Sequence, residues 1–112
     1  MSLKIEKIDR TTIITFVQAT VEAGNVPALW DEIDPLLDDA TQLIFDLSQV
    51  DFIDSTGCGI FPNCVKRLSE KDGELKICGL SDKLAALFRL MAFDRLMDIM
   101  ATREEAIAAF EE

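Results

Sequence analysis

Between residues 43 and 57 the chain passes from a short apolar run, LIFDL, into SQVDFIDSTG, a stretch of acids, hydroxyls and a glycine. An apolar run of this length reads as a strand covered on both faces of a sheet. The polar segment that follows reads as a tight corner leading into a helix. Leu43, Ile44, Phe45 and Leu47 are therefore expected in the core, with Asp51 to Gly57 at its edge.

The rest of the chain repeats this alternation. Leu3 to Ile8 and Thr12 to Gln18 read as two strands around a turn at Asp9-Arg10, the second rich in β-branched residues. Asn25 is a candidate N-cap for a helix with Pro27 in its first turn and Leu29, Trp30, Ile33, Leu36 and Leu37 at helical spacing. Pro35 predicts a kink or an end near Asp34. Phe61, Cys64, Val65 and Leu68 mark a helix ending near Asp72-Gly73, and Leu75 to Cys78 a second buried strand. Ser81 caps a helix carrying Leu84, Leu87, Phe88 and Met91. Met97 to Met100 gives a last strand, and Thr102 with Glu105 forms a capping box for a helix with Ala106, Ile107 and Phe110. Strands alternating with helices after an initial hairpin predict one α/β domain with a mixed sheet.

Charge and composition narrow the functions. With 11 basic and 21 acidic residues the formal charge is −10, so a phosphate backbone or an anionic lipid surface would be repelled. Nucleic acid is not an expected partner. No apolar run approaches the roughly 20 residues that span a bilayer, so membrane insertion is not expected either. Cys58, Cys64 and Cys78 are odd in number and form no C-x-x-C, which predicts reduced, buried thiols and a cytoplasmic setting. The chain has no histidine. A Ser-His-Asp triad cannot be assembled within it, nor a histidine-bearing zinc site; no metal or cofactor is expected and enzymatic activity is not.

Two roles fit the DSTG corner. In the first, Ser55 or Thr56 caps the helix, and Gly57 and Gly59 let the backbone turn tightly. In the second, Ser55 accepts a phosphate, which adds roughly −1.5 to −2 charges beside Asp51 and Asp54. Other readings are weaker. Gly57-Cys58-Gly59 lacks the remaining glycine and the lysine of a nucleotide loop. Asp51 and Asp54 as a magnesium pair are matched by ordinary turn chemistry. Cys58 lies where a helix start lowers a thiol pKa, against which stands packing as a small hydrophobe.

Residues 43 to 57, LIFDLSQVDFIDSTG, followed by GELKICGLSDKLAALFRLMAFDRLMDI at 73 to 99 and EEAIAAF near the end, resemble the STAS domains, specifically the stand-alone bacterial anti-sigma factor antagonists. The resemblance covers nearly the whole chain. It implies a single domain over residues 1 to 112 with a four- or five-stranded sheet and helices mainly on one side. It also implies a partner, an anti-sigma factor with serine kinase activity, that phosphorylates Ser55, and a serine phosphatase that reverses the change. Glu22, Asp54, Ser55, Thr56, Gly57 and Cys58 would meet that partner. The chain departs from the family pattern at Ala19-Thr20-Val21-Glu22, where G-x-L-D is usual. It departs again at Pro62, which predicts a kink or a helix start near Phe61, and at Pro35. A constitutive subunit of a lipid-transporter complex, with Ser55-Thr56 as a contact, is the alternative on the same fold.

Overall fold

The computed structural model describes residues 3–111. In chain order the elements are β1 (Leu3–Ile8), β2 (Thr11–Phe16), β3 (Thr20–Val21), α1 (Val26–Asp39), β4 (Gln42–Asp46), β5 (Phe52–Ile53) and α2 (Ser55–Cys58). Then come α3 (Ile60–Ser69), β6 (Glu74–Cys78), α4 (Asp82–Leu90), a 3₁₀ turn at Phe93–Arg95, β7 (Asp98–Met100) and α5 (Arg103–Glu111). Five strands form one sheet in the order β1-β2-β4-β6-β7. The β1–β2 hairpin is antiparallel and every other pair is parallel. Asp9, at φ 55°, closes that hairpin in the left-handed region, which aspartate tolerates better than most residues.

Period-two alternation divides the sheet into unequal faces. Ile14, Phe16, Leu43, Phe45, Leu47, Leu75 and Ile77 point to one side, where α1, α3 and α4 cover them. Ile13, Ile44 and Cys78 point to the other, under Ala106 of α5, with Met100, Ile107 and Phe110 packed alongside. The expected mixed sheet with helices mainly on one side is observed, and Leu43, Ile44, Phe45 and Leu47 are all fully buried.

Several local expectations are corrected. Pro35 neither ends nor breaks α1, which runs on to Asp39. Pro35 is exposed, so water can reach the carbonyl it leaves without a partner, while Ile33 and Leu37 stay docked on the core. Asn25 occupies the N-cap position of α1 but makes no cap bond with its side chain. β2 stops at Phe16, short of Gln18, and Met91 lies exposed beyond the end of α4. Pro62 is accommodated as the restart near Phe61 predicts. The segment after the corner breaks at Gly59, and α3 begins anew at Ile60, so Pro62 falls among its first residues, whose N–H groups have no partner in the helix. Ser81 does cap α4 through the Leu84 amide, at 3.2 Å. At α5 the Thr102 hydroxyl accepts the Glu105 amide and donates to the Glu105 carboxylate, each at 3.1 Å, so the carboxylate takes the hydroxyl and not the Thr102 amide of the expected box.

Candidate functional site

β2 and β4 lie side by side and parallel, so the chain leaves both at the same edge of the sheet. Residues 17–25 follow β2 and residues 47–54 follow β4. These two limbs build the site, and the main chain fastens them. The amides of Asp51 and Phe52 donate to the Ala19 carbonyl at 2.7 and 3.2 Å, and the Asp54 amide donates to Val21 O at 3.1 Å. Thr20 and Val21 pair in parallel with Phe52 and Ile53. Buried Val21 and Ile53 anchor the pair to the core, while Phe52 stands outward, 44% exposed.

Asp54 locks the corner. Its Oδ1 accepts the Gly57 amide at 2.7 Å and its Oδ2 the Ala23 amide at 3.0 Å. The N-cap of α2 is thus Asp54; the expectation that Ser55 or Thr56 supplies the cap is corrected. A carboxylate accepts two amides at once, whereas a hydroxyl here would leave Ala23 unpaired. The bonds from Gly57 and Ala23 hold the Asp54 carboxyl below its ordinary range, so it is charged at neutral pH. Asn25 does the matching work on the other limb: its Oδ1 accepts the Glu22 amide at 2.9 Å and its Nδ2 donates to Thr20 O at 2.7 Å.

With the corner so held, Ser55 and Thr56 are exposed at the start of α2. Gly57 faces inward: a Cβ there would sit 2.3 Å from the Val21 carbonyl oxygen, so the limbs can approach this closely only at glycine. Cys58 is likewise buried, only 4% exposed, and its side chain lies away from the outer surface of the corner. Burial, reinforced by the charge of Asp54, pushes its thiol up, which argues for a packing role and against a reactive one. Glu22 is half-buried on the first limb, next to the residue that bonds Asp54. The structure therefore brings Glu22, Asp54, Ser55 and Thr56 to one surface and sets Gly57 and Cys58 beneath it.

Three contributors escaped the sequence reading. Ala23 acts through its amide, and no side-chain pattern marks it. Asn25 is polar at a helix start, yet it closes a loop. Phe52 borders an apolar groove of about 340 Å³ between β5 and α4, lined by Ile53, Lys83, Leu84, Leu87 and Leu90. The Lys83 ammonium lies 5.8 Å from the Phe52 ring centroid, and Leu90 is 82% exposed. A fixed carboxylate, exposed hydroxyls and an adjoining apolar groove suit contact with another protein. Among the described residues no three thiol or carboxylate ligands gather as a metal site, and no helix is long and apolar enough to cross a membrane.

Residues 2–106 match the STAS domain family. A relative from Staphylococcus aureus, named anti-sigma-B factor antagonist, is 34% identical over 97 residues, spanning 82% of this chain and 90% of its own length. A crystal structure of a putative anti-sigma factor antagonist from Thermotoga maritima superposes with a TM-score of 0.91 at 21% identity, covering 98% of this chain and 95% of that one. The Bacillus cell fate determinant SpoIIAA, solved in its phosphorylated form, superposes at 0.74 with 22% identity, covering 96% of this chain and 98% of that one.

Proposed function

The chain belongs to the STAS domain family, and we propose that within it this protein is an anti-sigma factor antagonist switched by phosphorylation of Ser55. The observation that carries the reading is the exposed Ser55 hydroxyl on a corner whose neighbouring carboxylate already has each oxygen held by a main-chain amide. A kinase can take this serine without dismantling the corner, because Asp54, and not Ser55, holds α2 in place. The role named for the Staphylococcus relative and the phosphorylated state of the Bacillus neighbour support it.

In this reading the unmodified protein binds an anti-sigma factor that is also a serine kinase, and so frees a sigma factor. The kinase transfers the γ-phosphoryl group of ATP to Ser55 Oγ. The new O–P bond forms as the β–γ bridge breaks, ADP leaves, and the hydroxyl proton passes to a base of the kinase. The chain itself supplies no base, only position. The phosphoserine then adds roughly −1.5 to −2 charges beside Asp51, Asp54 and Glu22. A surface that accepted a neutral hydroxyl next to those acids must now accommodate the phosphate, and the complex loosens. A serine phosphatase restores the first state.

The test uses the kinase-type anti-sigma factor recovered by co-purification from the native host. Ser55→Asp is expected to bind it about a hundredfold more weakly, equivalent to about 2.7 kcal/mol, with the melting temperature unchanged. Ser55→Ala is expected to bind as the wild type does and to take no phosphate from ATP. The labelled residue is mapped by mass spectrometry, since Thr56 is the adjacent hydroxyl. Labelling of Ser55→Ala at the wild-type rate, or undiminished binding by Ser55→Asp, sinks the assignment.

A further inference from the structure

Behind the site, on the opposite face of the sheet, one side chain touches both strands from which the limbs depart. Arg103, the first residue of α5, donates through Nη2 to Thr15 Oγ1 at 2.6 Å and to Asp46 Oδ2 at 3.2 Å, and through Nε to the same Oδ2 at 3.3 Å. Nη1 reaches Glu6 of β1 at 3.0 Å. Thr15 and Asp46 are register partners across the β2–β4 pair. Thr15 is the last residue but one of β2, and Asp46 is the last of β4. The guanidinium therefore clasps the sheet where both limbs begin.

From Asp46 the hold continues outward. Its Oδ1 accepts the Ser48 amide at 2.9 Å, fixing the first turn of the second limb. Gly79, at φ 78°, packs its backbone against this turn; a Cβ there would sit 3.1 Å from Asp46 Oδ1 and 3.0 Å from the Ser48 side chain. Leu47 donates to Cys78 O at 3.0 Å, and Val50 to Leu47 O at 3.0 Å. Beyond them come the bonds of Asp51 and Phe52 to the first limb. These hydrogen bonds, and the short stretches of chain between them, connect Arg103 to Asp54.

We propose that Arg103 is a positioning residue for the Ser55 corner: by clasping Thr15 and Asp46 it sets the spacing of the two limbs, and the C-terminal helix thereby governs how the corner is presented to its partner. The effect on the partner rests on the function proposed above; the effect on the limbs does not. Lys76 supplies the contrast. It lies buried beneath α5, with Glu74 and Asp98 each at 2.7 Å and its ammonium 4.6 Å from the Phe110 ring centroid. Its side chain bonds neither limb-bearing strand. A purely structural role for cations under α5 predicts similar behaviour of the two sites; a clasp predicts that only Arg103 reaches the limbs.

The experiment measures amide exchange by NMR in wild type, Arg103→Gln, Arg103→Lys and Lys76→Met. Arg103→Gln is expected to speed exchange at Ser48, Asp51, Asp54 and Gly57 by about 2- to 30-fold, the range of couplings carried through packed networks. Arg103→Lys, which keeps the charge but not the fork, should give an intermediate change and stays available if the glutamine variant folds poorly. Lys76→Met should leave those four amides as they are. With the anti-sigma kinase in hand, Arg103→Gln should also weaken binding by about 2- to 30-fold. Unchanged limb amides in both Arg103 variants overturn the proposal, as does equal loosening in Lys76→Met, or undiminished affinity for a kinase that the wild type binds. Should the wild type bind no such kinase, the function proposed above fails while the exchange data still decide the clasp.

Discussion

On one face of the sheet five phenylalanines, Phe16, Phe45, Phe61, Phe88 and Phe93, pack ring against ring with centroids 5.0 to 6.1 Å apart. Among the described residues no charged side chain is buried with them. On the other face α5 lays Ala106, Ile107 and Phe110 over Ile13, Ile44 and Cys78. Both charged residues that are buried among those described, Asp46 and Lys76, lie on this second face. The first face loses apolar surface and ring contacts if it opens. The second loses a smaller apolar patch, and its ions exchange protein partners for water, so less apolar burial holds it closed. The contrast separates the part of the molecule that makes it fold from the part that can tune it.

Phe45→Ala should show the contrast most strongly. The ring touches both Phe16 and Phe61, and its loss should cost about 3–5 kcal/mol in denaturant unfolding. A loss below about 1 kcal/mol would mean that the aromatic face is not the main core. Ile44→Ala, one residue away but under α5, should cost about 2 kcal/mol, the low end for such truncations, because α5 can settle into the space. Equal losses at the two positions would erase the distinction.

Acid probes the second face, and with it the Asp54 cap, whose carboxyl is likewise held low. Hydrogen bonding by Arg103 holds Glu6 below its ordinary range. Burial pushes Asp46 up, but the Ser48 amide and Arg103 outweigh it and bring it down; Lys76 lowers Asp98. Because these folded values lie below the unfolded ones, the stabilisation is complete above about pH 4.5 and is lost as pH falls through the folded values. Amides of α5 should therefore lose protection on acidification before those of α3. Simultaneous loss would show that α5 is not independently held.

The smallest effect is kinetic. Burial pushes Cys64, on the aromatic face, and Cys78, under α5, each up to about 12, so neither should react quickly in the native state. In mild denaturant Cys78 should be modified first, through local opening of α5, with Cys64 following only on global unfolding. The reverse order would make α5 the firmer side.

The sequence made local devices visible and hid remote ones. Ser81 with Leu84, and Thr102 with Glu105, lie three residues apart, and their geometry follows from a helix start alone. The β4 strand was legible because its residues are apolar on both faces. Pro35 misled because its effect depends on exposure, which only the packing of α1 decides. The sequence marks Asp54 as a contact residue and hides its capping role: one of its two amides comes from Ala23, 31 positions away. Arg103 carried no signal at all, for Glu6, Thr15 and Asp46 lie 97, 88 and 57 positions from it. Cys58 stands among the expected partner contacts only because it lies three residues after Ser55, and one turn of α2 carries it inside.

The bonds between the limbs run from backbone to backbone at Ala19, Val21, Asp51, Phe52 and Asp54, and this has an evolutionary consequence. Peptide groups are common to nearly every residue, so the outward side chains at Thr20, Glu22, Phe52 and Thr56 can be exchanged without undoing the fastening. At the corner itself side-chain demands fall on Asp54, Gly57 and Asn25, with Val21 and Ile53 kept apolar. Duplicated copies of such a gene can drift at the outward positions while keeping the same corner. Sister proteins in one cell can in this way come to answer to different regulators without crosstalk.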